Sequence, residues 1–207
     1  EVRDPSRMAE VLNRVILNAK RMSAPAQINV PRDYFTQVID IDLPRIVEFE
    51  RPSGGASALQ EAADLLSKAK FPVILNGAGV VLAGAIPASM ALAERLDAPV
   101  CVGYQHNDAF PGSHPLFAGP LGYNGNKAGM ELISKADVVL ALGTRLNPFS
   151  TLPGYGLDYW PKDAAIIQVD INPARIGLTK KVTVGIVDKL GTQPVQVKDP
   201  VRFSALI

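Results

Sequence analysis

Cysteine occurs once in 207 residues, as Cys101, and histidine only twice. A lone thiol excludes a disulfide framework and provides no cysteine cluster of the zinc-binding kind, a composition suited to a reducing, cytoplasmic interior. Neither sign of charge is in excess: 21 Lys and Arg against 20 Asp and Glu leave a net charge of +1. Scattered and balanced, these charges give no electrostatic hold on a nucleic-acid backbone or a membrane surface. Long apolar runs are missing too. The most hydrophobic stretch, Phe71 to Ile86, is about sixteen residues long, is broken by Pro72, Asn76 and three glycines, and falls short of a bilayer. The charged opening Glu1-Val2-Arg3-Asp4 is unlike a secretory signal. Nor is there a Gly-x-Ser-x-Gly elbow, a Walker phosphate loop or a paired-cysteine zinc motif.

What the sequence has is apolar material, 47% of all residues, enough to bury a core. Asp4 and Pro5 open a helix whose face carries Met8, Val11, Leu12, Val15, Ile16 and Ala19 at helical spacing. Ala26 to Val30 alternates like a short strand and is stopped by Pro31. One helix and one strand cannot make a domain, so residues 1–38 read as the end of an upstream unit and residues 39–55, punctuated by Pro44, Pro52, Gly54 and Gly55, as a linker. From 56 to 186 the pattern alternates. Ser57 and Gln60 are spaced as a capping box before an apolar helical stripe, and a second helix carries Pro87 in its first turn. Strands are expected at Pro72–Asn76, Pro99–Gly103, Asp137–Leu142 and Ala165–Ile171, with an edge strand at Lys181–Ile186. A long loop runs from Tyr104 to Gly125, followed by a short helix over Lys127–Lys135. Continuous apolar strands between helices predict an α/β fold, a Rossmann-like parallel sheet with helices on both faces. Residues 187–207, with Pro194 and Pro200 and no helical stripe, are expected to be poorly ordered.

Three groups of residues are candidates for chemistry. Gly77-Ala78-Gly79 follows a strand and opens a helix, where glycines let backbone amides approach a pyrophosphate. The third glycine of a dinucleotide fingerprint is replaced by Leu82, however, and the next strand ends in Gly103-Tyr104-Gln105 with no acidic residue for a ribose. The commoner role of two such glycines is simply to make the turn. Gly143-Thr144-Arg145 and Asp170 end two further strands, at the sheet edge where ligands bind. Arg145 there can pair with a phosphate, or equally bridge to a neighbouring domain while Thr144 caps the chain reversal. His106, Asp108 and His114 lack the spacing of metal ligands and read as ordinary loop residues. Tyr155, Tyr159 and Trp160 read as packing in a Pro- and Gly-rich loop.

Several segments in order, Ala24-Pro25-Ala26-Gln27-Ile28-Asn29-Val30-Pro31-Arg32-Asp33, Phe71-Pro72-Val73-Ile74-Leu75-Asn76-Gly77-Ala78-Gly79, Ala136 to Leu146 and Ile166 to Asn172, resemble thiamine-diphosphate-dependent enzymes of the acetolactate-synthase type. The loops Tyr104–His114 and Pro148–Gly156 are more similar to the sulfoacetaldehyde acetyltransferase branch. The resemblance implies a three-domain enzyme. Its first, pyrimidine-binding domain supplies an activating glutamate, its centre is Rossmann-like, and its last domain holds Mg²⁺ through a Gly-Asp-Gly…Asn motif. Residues 1–38 match the end of the first domain and 56–186 the central one, while neither the glutamate unit nor a Gly-Asp-Gly is present. Thiamine diphosphate and magnesium are thus expected on missing N- and C-terminal domains, with no catalytic residue and no metal ligand in this stretch. The chain alone is expected to be inactive, and the intact protein to be a homo-oligomer acting on a small molecule, with no nucleic-acid or membrane partner. The reaction implied is conversion of sulfoacetaldehyde and phosphate to acetyl phosphate and sulfite by cofactor-borne carbanion chemistry. Some relatives carry FAD or ADP in the central domain. The corresponding positions are Gly77, Gly79, Gly143, Thr144, Arg145 and Asp170, an expected vestigial or empty nucleotide site, since no flavin is expected. His106 and Asn107 are expected nearest the substrate. The alternatives are an acetolactate-synthase-like enzyme with FAD, and a nucleotide-binding or docking module without chemistry.

Overall fold

Asp4 stops the extended start of the chain by accepting hydrogen bonds from the Ser6 backbone N–H at 2.9 Å and the Ser6 hydroxyl at 2.7 Å. A 3-10 turn over Pro5–Arg7 then runs into helix α1, Met8–Met22. In the computed structural model, residues 1–22, 24–44 and 54–188 are described, and the chain divides into two compact units, Glu1–Arg51 and Pro52–Ile207. Within the first unit the strand expected at Ala26–Val30 is extended chain and not part of a sheet. Its alternation has no strand to pair with among the described residues. The Val2 N–H donates to the Asn29 carbonyl at 2.8 Å, and the Tyr34 hydroxyl donates to the Arg3 carbonyl at 2.9 Å. Most of the expected linker (45–53) and nearly all of the expected disordered tail (189–207) lie outside the described residues.

The second unit opens with helix α2, Ala56–Lys68. Its N-cap is Gly55, so Ser57 already lies inside the helix and the expected capping box with Gln60 does not form; Gln60 instead donates to Asp64 at 3.0 Å. Strand β1 (Pro72–Asn76), the short helix α3 (Ala78–Leu82), helix α4 (Ile86–Leu96) and strand β2 (Val100–Gly103) follow. Next come strand β3 (Phe117–Leu121), helix α5 (Lys127–Ile133), β4 (Val138–Leu142), β5 (Ala165–Asp170) and β6 (Val184–Val187). β3 falls where one long loop was expected. Gly119 and Pro120 mask it, and both are tolerated because β3 is an edge strand.

All pairings are parallel, and the order is β3-β2-β1-β4-β5-β6. Alternate side chains point into two cores. Ile74, Val100, Val102, Leu140, Ile167 and Ile186 meet α2 and α4, whose Leu59, Leu66 and Leu92 are buried with them. Val73, Leu75, Cys101, Val139 and Ile166 meet Met130 and Ile133 of α5 and the buried Tyr159. Both faces being covered explains why the strands read as continuous apolar runs. Among the described residues, no helix is long and apolar enough to cross a membrane.

Candidate functional site

Strand order reverses between β1 and β4, and at such a switch point the loops leaving the carboxyl edge diverge and leave room for ligand. Here the first turns of the two loops touch each other. The Gly77 N–H donates to the Leu142 carbonyl and the Gly79 N–H to the Gly143 carbonyl, both at 2.9 Å. A Cβ built on Gly79 would lie 2.5 Å from the Gly143 Cα, and one on Gly143 would lie 2.5 Å from the Gly79 Cα. The two turns therefore pack backbone to backbone. The amides on which a pyrophosphate would draw at Gly77 and Gly79 are already engaged, and α3 behind them has only five residues.

Beyond Gly143 the loop holds two left-handed residues, Gly143 at φ 57° and the fully buried Leu146 at φ 51°. Left-handed backbone at a residue such as Leu persists only where surrounding bonds impose it. The Thr179 hydroxyl supplies them, donating to the Leu146 carbonyl at 2.7 Å, with the Arg145 carbonyl at 3.2 Å. Gln168, buried in β5, fastens the same region: its amide donates to the Thr144 carbonyl at 3.1 Å and accepts from the Gly177 N–H at 2.9 Å. Arg145 is left exposed at the rim. Asp170 is buried, and its carboxylate accepts the Asn172 N–H at 2.8 Å. Gly77, Gly79, Gly143 and Thr144 are thus brought into contact, while Arg145 and Asp170 are held by separate turns.

His106 and Asn107 stand on the carboxyl edge after β2. The His106 N–H donates to the Gly103 carbonyl at 2.8 Å, and the Ala109 N–H to the His106 carbonyl at 3.0 Å, closing a 3-10 turn over Asn107–Ala109. The His106 ring is part-exposed, with Nδ1 3.8 Å from the Asp108 carboxylate. His114 is turned away from that turn. Its Nε2 faces Glu94 of α4 at 3.2 Å, and its Nδ1 accepts the Leu116 N–H at 3.2 Å. That bond leaves Nδ1 without a proton, so the neutral ring carries its proton on Nε2 and donates it to Glu94.

Two features escaped the sequence reading. Asn76, the last residue of β1, is fully buried and bridges to the 3-10 turn, its amide donating to the Ala109 carbonyl at 3.0 Å and to the Ser89 hydroxyl at 2.8 Å. An amide in an otherwise aliphatic strand was the available signal. The second is a cleft of about 490 Å³ between the loops after β3 and β4, where Tyr123, Leu152, Pro153 and Tyr155 surround Met130. None of the candidate nucleotide-site or histidine residues lines it, but Tyr155 and its neighbours in the Pro148–Gly156 loop do. Beneath it the buried Tyr159 hydroxyl donates to the Ser150 carbonyl at 3.4 Å, and burial pushes its pKa up to about 12 against the lowering effect of the Gly122 N–H. Burial alone pushes the Cys101 thiol up to about 12, so it is no nucleophile at neutral pH.

Among the described residues, no three His, Cys, Asp or Glu side chains gather where they could hold a metal ion.

Residues 59–194 match the family model described as "Thiamine pyrophosphate enzyme, central domain". A sulfoacetaldehyde acetyltransferase of Roseovarius nubinhibens is 87% identical over 187 residues, covering 90% of this chain and 31% of that protein. One from Rhodobacter capsulatus is 74% identical over 191 residues, covering 92% of this chain and 32% of that protein. Among solved structures, the thiamine diphosphate-dependent 4-hydroxybenzoylformate decarboxylase of Rhodococcus jostii RHA1 superimposes with a TM-score of 0.73 at 22% identity, over 92% of this chain and 36% of that one. At that identity the likeness concerns the fold. The chain spans about a third of the length of the curated relatives it matches.

Proposed function

We infer, from the premise that this chain belongs to the thiamine pyrophosphate enzyme family and folds as its central domain, that it is the middle portion of a sulfoacetaldehyde acetyltransferase. The observation that carries the reading is 87% identity over 90% of the chain to an enzyme of that name. The overall reaction converts sulfoacetaldehyde and phosphate to acetyl phosphate and sulfite: the carbon–sulfur bond breaks, and the acetyl carbon gains a phosphate oxygen. Thiamine diphosphate with magnesium is the cofactor of that chemistry, held by N- and C-terminal domains of a cytoplasmic homo-oligomer. No step through it is assigned to the described residues, among which no three His, Cys, Asp or Glu side chains gather where they could hold a metal ion.

What this portion contributes is shape. The close Gly79–Gly143 contact supports reading the switch point as a rigid support. The turn bearing His106 and Asn107 is its part-exposed polar surface toward the substrate, and supplies hydrogen bonds and exclusion of water. The exposed Arg145 and the buried Asp170 are the remnants of a nucleotide site.

The test is a graft. The chain replaces its 187-residue counterpart in the Roseovarius nubinhibens enzyme, and sulfite release from sulfoacetaldehyde is measured with thiamine diphosphate, magnesium and phosphate. Activity within about tenfold of the parent is the expected result, a factor worth about 1.4 kcal/mol. The isolated chain should release none. A graft that folds but is inert on sulfoacetaldehyde sinks the reading, and a purified graft coloured yellow by flavin points instead to an acetolactate-synthase-like protein.

A further inference from the structure

We propose that Asn76 is a positioning residue for the reaction: by bridging the end of β1 to the 3-10 turn at 107–109, it fixes where His106 and Asn107 stand. This rests on the reading that the turn faces the substrate. Val73, Ile74 and Leu75 of the same strand are aliphatic and fully buried, so a primary amide at the next position is an expensive choice unless each of its polar atoms is matched. It is matched. Nδ2 donates to the Ser89 hydroxyl at 2.8 Å and to the Ala109 carbonyl at 3.0 Å, and Oδ1 accepts from the Ser89 hydroxyl at 3.2 Å. Ser89, itself buried on α4, anchors Asn76 to the helical layer, and the remaining amide proton reaches the turn. A buried network of this kind selects one geometry, because any shift of the turn strands a polar group away from water.

The placement matters because the turn lies between strands, with Ala109 and Phe110 packed into the core and Asn107 and Asp108 exposed. It leaves β2 at Gly103 and does not enter β3 until Phe117. Its backbone bonds, the His106 N–H to Gly103 and the Ala109 N–H to His106, tie it to itself and to β2, and core packing of Ala109 and Phe110 has no directional preference. Asn76 ties the far end of the turn to the strand at the switch point. An error of about 1 Å in a substrate-facing group can lower turnover a hundredfold, so a device that removes that freedom has a kinetic consequence.

Two variants of the grafted enzyme separate this role from general core packing. Asn76→Val removes the bonds to both partners, whereas Ser89→Ala leaves the Asn76–Ala109 bond in place. Hydrogen exchange should show the His106 and Ala109 amides losing at least tenfold protection in Asn76→Val and less than threefold in Ser89→Ala. The KM for sulfoacetaldehyde should rise at least fivefold in Asn76→Val, with the KM for phosphate within twofold. An unfolded fraction would lower kcat but would move neither KM. Should Asn76→Val fail to fold, exchange in the unmutated protein still decides. The Ala109 amide should exchange as slowly as those of β1, and exchange at the rate of an exposed loop overturns the proposal. Unchanged protection in Asn76→Val, equal losses in the two variants, or an unmoved KM for sulfoacetaldehyde in a graft that is otherwise active each overturn it too. An inactive unmutated graft overturns instead the functional reading on which the role depends.

Discussion

Gly79 and Gly143 can be told apart from an ordinary turn glycine by what surrounds them. Gly84 has φ 66° and nothing within 4 Å of the place a Cβ would take, whereas Gly143 has φ 57° and a Cβ there would lie 2.5 Å from the Gly79 Cα. Replacing Gly84 with Ala therefore costs only the left-handed backbone penalty, about 1 kcal/mol. Gly143→Ala carries a similar penalty plus a backbone clash, and Gly79→Ala carries the clash alone, for which overpacking gives about 1–3 kcal/mol or more. Urea unfolding should rank them Gly84→Ala mildest and Gly143→Ala worst. If Gly79→Ala is no worse than Gly84→Ala, the close approach is not what these glycines provide. The pattern Gly-x-Gly after a strand was legible, but its use was not. Small residues at a turn announce that something comes close, and sequence does not say whether it is a phosphate or the neighbouring turn. Asn76 was passed over for the converse reason: a polar residue at a strand end is ordinary until its burial is known.

At the scale of elements, the helices and central strands were readable because each apolar run had the length and flanking turn residues of its type. β3 was not, since Phe117-Ala118-Gly119-Pro120-Leu121 contains the two residues least suited to a strand. What makes it a strand is tertiary: parallel pairing to β2 and the side chain of Asn126. Asn126 caps α5 by accepting the Gly129 N–H at 2.6 Å and reaches back to the Ala118 carbonyl at 3.4 Å, lying over Gly119, whose φ is 99°. Asn126→Ala should lower stability by about 1 kcal/mol through the lost cap and speed amide exchange across Phe117–Leu121. Asn126→Asp keeps the acceptor and loses the donor. It should therefore recover most of the cap while leaving the exchange of β3 fast, and equal recovery of both would show that the link to Ala118 contributes nothing. The failed capping box at Ser57 has the same lesson in smaller form, because a helix capped two residues early, on Gly55, turns a cap into an interior position.

For the molecule as a whole, stability should depend on alkaline pH through two groups packed on the same face of the sheet. Burial raises the Cys101 thiol from its ordinary 9.0 to about 12 and the Tyr159 hydroxyl from 10.0 to about 12. In both cases the folded state holds its proton more tightly than the unfolded chain. Once the pH passes the unfolded values, the unfolded state releases protons that the folded state keeps, so stability falls, and it continues to fall until about 12, where the folded groups ionise as well. Near neutrality, well below 9.0, neither group contributes an appreciable slope. At the acid end the sign reverses. Burial pushes the Asp137 carboxyl up, but the backbone N–H groups of Lys70 and Phe71, at 2.6 and 3.0 Å, outweigh it and hold it below its ordinary value, so its contribution is lost as the pH drops through that lowered range. Denaturant midpoints should thus be flat near neutrality and decline above pH 9. Cys101→Ala should be less stable at pH 7 because of the cavity it leaves, yet show a shallower decline between pH 9 and 11, since only the tyrosine then remains to titrate. A slope identical to that of the parent would mean that the thiol ionises as easily in the folded protein as in water, which its complete burial between β1, α5 and Tyr159 forbids.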